Sequence, residues 1–108
     1  MTYISTMQIT LTPGLRDAAI KAFQQRRVFE ECADVIPGFL WARLIEDAED
    51  PDKIAVLSEW SDASAYDAWA AHPVRDSQYH DLAQFIAAPP DTTLHATRHD
   101  FVRGTSAS

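Results

Sequence analysis

Three side chains able to move or donate a proton fall close together in this sequence: His72, Tyr79 and His80. An imidazole titrates near neutral pH and is the usual general base, while a phenol hydroxyl donates a hydrogen bond. Just before them, Ala65, Trp69 and His72 are spaced by four and three residues, so one helix face carries all three with Tyr66 beside it. That face reads as the wall of a small-molecule pocket. The same residues also suit a core tryptophan and a polar group at a helix end.

Other candidates carry less chemistry. His95 and His99 share a face of the last predicted strand but stand roughly 13 Å apart, too far to chelate one metal. Cys32 is the single cysteine, which excludes an internal disulfide and reads as a small buried hydrophobe. Arg43 interrupts an apolar strand, so burying it requires a carboxylate, from this chain or across a dimer, or a bound anion. Arg26 and Arg27 pair most simply with Glu30 and Glu31 along a helix. The chain has no Gly-rich phosphate loop, nucleophile elbow or defined carboxylate pair, so neither ATP, NAD nor flavin is expected, and no metal.

The elements that must position these groups follow from periodicity. Thr2 to Thr12 alternates as a strand, with Tyr3, Ser5, Met7, Ile9 and Leu11 on one face. Thr12-Pro13-Gly14 then supplies a helix start, and apolar residues from Leu15 to Ala33 recur at helical spacing. Phe39 to Ile45 and Ile54 to Trp60 are two apolar runs joined by the acidic loop 46–52, an antiparallel pair. Simple alternation sets Phe39, Trp41 and Ile45 against Leu40, Ala42 and Leu44. Ser61 or Asp62 caps a second helix, which Pro73 ends or bends before an amphipathic extension from Asp76 to Ile86. Thr92 to Val102 is a last strand.

That order is the split βαβ or ferredoxin-like arrangement of an α+β fold, an antiparallel sheet with helices on one face. One domain is expected over residues 1–103, with a flexible tail at 104–108. Both hairpin strands are apolar on both sides, so a second copy is expected to cover the face that lacks helices, giving a homodimer. A net charge of −7 argues against nucleic acid. No apolar run spans a bilayer and no leader is apparent, so a cytoplasmic protein without membrane contact is expected.

Four stretches carry a family resemblance: Leu11-Thr12-Pro13-Gly14, Ile36-Pro37-Gly38-Phe39, Val56 through Asp62, and Ala65-Tyr66-Asp67-Ala68-Trp69. In order and spacing they resemble the antibiotic biosynthesis monooxygenase family of dimeric α+β barrels. The resemblance implies a homodimer with one pocket per subunit between helices and sheet, and Trp69 as a pocket residue. Tyr66, Met7, Phe39, Trp41 and Arg43 are expected as further substrate contacts, with His80, His72 and Tyr79 as catalytic candidates. His80 lies near the axial histidine of haem-degrading relatives, one or two places out of register. Those relatives also use an asparagine on the first strand, where this chain has Met7. Anthrone oxygenases commonly use another, one turn before the helix tryptophan, where this chain has Ala65.

The expected activity is therefore cofactor-independent monooxygenation of a hydrophobic, aromatic or polyketide-derived substrate in secondary metabolism. A cyclase or isomerase using the same pocket without oxygen is the nearest alternative. A haem-binding or haem-degrading protein and a non-catalytic ligand-binding dimer follow.

Overall fold

Alternation on the first strand sets the sheet's polarity. In the computed structural model, which describes residues 1–104, β1 spans Tyr3–Thr10 and buries Ser5 and Ile9 toward the helices. It pairs antiparallel with β3 (Lys53–Trp60) on one side and β4 (Asp91–Ala96) on the other. The remaining strand β2 (Phe39–Glu46) pairs with β3, giving the order β2-β3-β1-β4 of the ferredoxin-like arrangement.

The predicted pairing holds, with one displacement. Phe39 faces Trp60 and Trp41 faces Glu59, so Leu40 is an extra residue in a β-bulge. Beyond it the alternation is inverted relative to a continuous strand. Phe39, Ala42 and Leu44 share the helix face, while Trp41, Arg43 and Ile45 point to the other side.

The first helix is two helices. Pro13 and Gly14 form a turn, with Gly14 at φ +83°, and α1 begins later, at Arg16, ending at Arg26. Arg27 then takes the left-handed conformation (φ 56°), and α2 runs Val28–Val35. A non-glycine residue there costs roughly 1–2 kcal/mol. The bend lets Arg26 bind Glu31 at 2.8 Å and Asp81 at 2.9 Å, tying α1 to α2 and to the last helix.

Asp62 caps α3 (Ala63–Ala70), its carboxylate accepting the Ala65 N–H at 2.9 Å. That bond and one from the Ser64 hydroxyl hold Asp62 below the usual carboxylate range, the Ser64 contact being the larger cause. Pro73 is the first residue of α4 (Pro73–Leu82), and a short 3₁₀ turn follows at Ala83–Phe85. β4 ends at Ala96, earlier than its mixed apolar pattern suggests, which leaves His99 outside the strand. Phe101 and Val102 are exposed. Of the expected tail, residues 105–108 lie outside the described residues.

Two apolar clusters lie between helices and sheet. One gathers Ile9, Leu11, Ala19, Ile54 and Val56; the other gathers Cys32, Ile36, Trp60 and Trp69. Trp60 is 2% exposed, and burying a side chain that large contributes about 5 kcal/mol. Its indole N–H donates to Ser5 Oγ at 3.0 Å, so its polar atom is satisfied inside the core.

No helix among the described residues is long and apolar enough to cross a membrane. The sheet face away from the helices carries Ile4, Thr6, Leu57, Trp41, Arg43 and Ile45, and Trp41 and Ile45 are 38% and 42% exposed.

Candidate functional site

Between the two clusters the packing leaves a cavity of about 330 Å³, at the lower end of the range of roughly 300–1,000 Å³ common for small-molecule sites. Its floor is the helix face of the sheet, where Ser5 and Ser58 are direct cross-strand partners and both are buried. Ser5 Oγ accepts from Trp60, which leaves its own O–H to donate. Two neutral hydroxyls thus sit side by side beneath an otherwise apolar space.

The walls come from different elements. Phe39 enters from β2 because the bulge keeps it on the helix face, and Tyr66 and Trp69 enter from α3. Trp60 touches both groups, with ring centroids 5.3 Å from Phe39 and 5.6 Å from Tyr66. Cys32 closes the α2 side. Burial pushes its thiol up to about 12, so it stays protonated and uncharged at neutral pH.

Helix α4 supplies the polar end. Gln78 is 4% exposed on the apolar stripe of Val74 and Leu82, and its Nε2 donates to the Val28 carbonyl at 3.2 Å and to Glu31 Oε1 at 2.9 Å. Both amide hydrogens are thereby used, and the acceptor oxygen is what this wall residue offers to the cavity. Arg75, Asp76 and Tyr79 form the rim with Pro89 and Pro90 opposite, and Tyr79 is 46% exposed.

The sequence-based candidates divide accordingly. Met7, Phe39, Tyr66, Trp69 and Tyr79 all line this one cavity. His72 does not. Its Nδ1 accepts the Val74 N–H at 3.1 Å, capping α4, while its ring stacks on Trp69 with centroids 6.2 Å apart. The bland alternative of a helix-end polar group describes it. His80 is exposed on the outer side of α4 and also stands outside the cavity. Among the described residues no histidine lines the cavity, so its lining does not fit a haem with an axial imidazole.

Trp41 and Arg43 are displaced for one reason, the bulge at Leu40, which turns them to the opposite sheet face. There Arg43 lies over the Trp41 ring at 5.6 Å, and Trp41 Nε1 donates to Glu59 at 2.7 Å. Arg43 instead borders a groove beside α1 and α2 that Trp69 does not line. Gln78, Arg75, Ser5 and Ser58 also line the cavity, and none of them stands out in the sequence as a site candidate. A polar residue at the centre of an apolar helical stripe, with Val74 and Leu82 one turn either side, is the signal that marks Gln78. Among the described residues, no three His, Cys, Asp or Glu side chains converge on a metal site.

A family model for antibiotic biosynthesis monooxygenase matches residues 2–76. Comparison with curated proteins finds no match. Among solved structures, the chain resembles SnoaB, a cofactor-independent oxygenase from Streptomyces nogalater, with a TM-score of 0.74 and 17% identity over 92% of this chain and 95% of that one. A candidate antibiotic biosynthesis monooxygenase from Chloroflexus aurantiacus is 25% identical over 93% and 98% of the two chains, with a TM-score of 0.64. Rv0793 from Mycobacterium tuberculosis is 14% identical over 93% and 98%, with a TM-score of 0.73.

Proposed function

The chain belongs to the antibiotic biosynthesis monooxygenase family, and from that premise we propose that it oxygenates a small, electron-rich aromatic substrate without a bound cofactor. The observation that carries this reading is the cavity beside Trp69, whose depth is apolar apart from the neutral groups of Ser5, Ser58, Tyr66 and Gln78. Such a space holds a flat ring system and excludes water.

In the proposed reaction a phenol-activated CH₂ loses a proton, and the carbanion passes one electron to dioxygen. The radical pair joins as a carbon–oxygen bond, and the resulting peroxide loses water to leave a carbonyl. One CH₂ group and one O₂ thus become one C=O group and one H₂O, the substrate supplying every electron. The chain's part is positioning and desolvation. Met7, Phe39, Tyr66 and Trp69 hold the rings, and Ser5, Ser58 and the Gln78 oxygen orient ring oxygens. Tyr79 donates at the rim. Since neither His72 nor His80 lines the cavity, the departing proton is assigned to Asp76, the one carboxylate among its lining residues. A role in secondary metabolism accords with this substrate class.

Oxygen uptake with 1,8-dihydroxyanthrone, with no metal or flavin added, tests the reading. One O₂ consumed per quinone formed, faster than the uncatalysed reaction, supports it; equal turnover under strict anaerobiosis sinks it. The missing asparagines and the absence of a cavity histidine favour a cyclase or isomerase as the second reading. Product mass separates them, because cyclisation without oxygen adds no oxygen atom.

The proposed assembly is a homodimer through the sheet face without helices, supported by the exposed Trp41 and Ile45 beside Leu57.

A further inference from the structure

One cation lines the cavity: Arg75, in the first turn of α4. Nothing in the fold accounts for its placement. It makes no salt bridge among the described residues, and Glu31 of α2 and Asp81 of α4 both pair with Arg26. Asp76 follows it directly, but adjacent residues on a helix do not face one another, and Asp76 is exposed. The positive end of the α4 dipole disfavours a cation in the first turn and favours an anion there. Arg75 itself is only partly exposed, and among the described residues its guanidinium has no ion-pair partner.

We propose that Arg75 is a specificity-determining residue that binds a carboxylate carried at one end of the ring-shaped substrate. The inference rests on the reading of the cavity as an aromatic-ligand site. A planar guanidinium fork matches a carboxylate with two parallel N–H···O bonds, and here it stands where the apolar cavity opens to water. The ligand would lie with its uncharged rings against Trp69 and Phe39 and its charged end at the rim. Deep in the cavity no charge is available to meet a second carboxylate, so the substrate class is a monoacid with the acid group at its periphery.

Calorimetric titration with 2-naphthoate and with its uncharged analogue 2-naphthamide tests this. The wild-type protein is expected to bind the acid roughly tenfold more tightly than the amide at low salt, since one hydrogen-bonded charge pair supplies about that factor. Arg75→Met, which keeps the apolar stem, is expected to abolish the preference while leaving amide affinity within about twofold, because the amide does not use the charge. Arg75→Lys is expected to keep part of the preference, and added salt to shrink it in the wild type. Equal affinity for acid and amide in the wild type, or a preference that survives in Arg75→Met, overturns the proposal. If the amide fails to bind at all, the aromatic-cavity reading itself falls; if it binds equally well, that reading stands and only the role of Arg75 is lost.

Discussion

Gln78 and Glu31 meet across the gap between α4 and α2, the side-chain amide donating to Oε1 at 2.9 Å. The same oxygen accepts from Arg26 at 2.8 Å, so a helix-to-helix network ends on a cavity wall. Gln78 is the larger cause of the lowered Glu31 pKa, with Arg26 adding to it.

This contact gives a pH signature. A carboxylate depressed by folding contributes stability that is complete above its ordinary value of 4.5 and is lost as pH falls through the depressed value. Gln78→Met removes the main cause, so the fall of Tm below that pH is expected to be shallower than in the wild type. At neutral pH the variant is expected to be less stable by about 1 kcal/mol for the bond lost at the Val28 carbonyl. Gln78→Glu places a second carboxylate against Glu31, and its Tm is expected to rise on mild acidification. Thermal melts across the acid range check both.

His72 separates a structural role from a catalytic one. His72→Ala loses the α4 cap and its packing on Trp69, a cost of about 1 kcal/mol. His72→Asn restores a capping acceptor. If His72 acts through structure, the asparagine variant recovers both melting temperature and turnover; a base lost from the reaction would leave turnover low in both. His80→Ala is expected to change neither.

Gly38 lies in the turn between α2 and β2, packed tightly against the start of α3. A β-carbon there would stand 2.6 Å from both Ala65 Cβ and Ser61 Oγ, and the Gly38 carbonyl accepts the Ser61 N–H at 2.8 Å. Gly38→Ala must therefore push α3, with Trp69 on it, away from β2. Destabilisation of roughly 1–3 kcal/mol is expected, and with it weaker 2-naphthamide binding. Denaturant melts and calorimetry measure the two together.

Assembly is tested on the opposite face. Ile45 is half exposed and shares that face with Trp41 and Arg43, so Ile45→Glu sets a charge where a second copy is proposed to pack. The wild type is expected to sediment as a dimer and the variant as a monomer at the same concentration. A wild type that sediments as a monomer defeats the assembly and leaves the cavity untouched.

Much of this molecule is legible in its residues because the strongest signals are local. The alternation of Ser5, Met7 and Ile9, the acidic loop between the hairpin strands and the Asp62 cap all act over a few residues, and they lead to the right topology. Trp69 and Tyr66 fall on the cavity for the same reason, since helical spacing fixes the face they share. What stays hidden depends on partners far away in sequence. The left-handed Arg27 is accompanied by the hold of Arg26 on Glu31 and Asp81, and nothing between Leu15 and Ala33 signals it. His72 reads as a base until Pro73 is seen to start a helix, whereupon its ring nitrogen becomes the cap. Arg75 and Gln78 gain meaning only when α4 is laid along the cavity.

The pairing of β2 with β3 around Leu40 has a further consequence for how such a chain can diversify. Because it sets Phe39 apart from Trp41, Arg43 and Ile45, a single strand serves two surfaces that exchange no side chains across the sheet. Substitutions that reshape the cavity at Phe39 need not disturb the opposite face at Ile45, where a second copy is proposed to pack, and the reverse holds as well. Removing Leu40 would leave Phe39 opposite Trp60 and Trp41 opposite Glu59 as neighbours in a regular strand, still on opposite faces, so what keeps the two surfaces apart is this pairing with β3 and not the extra residue itself.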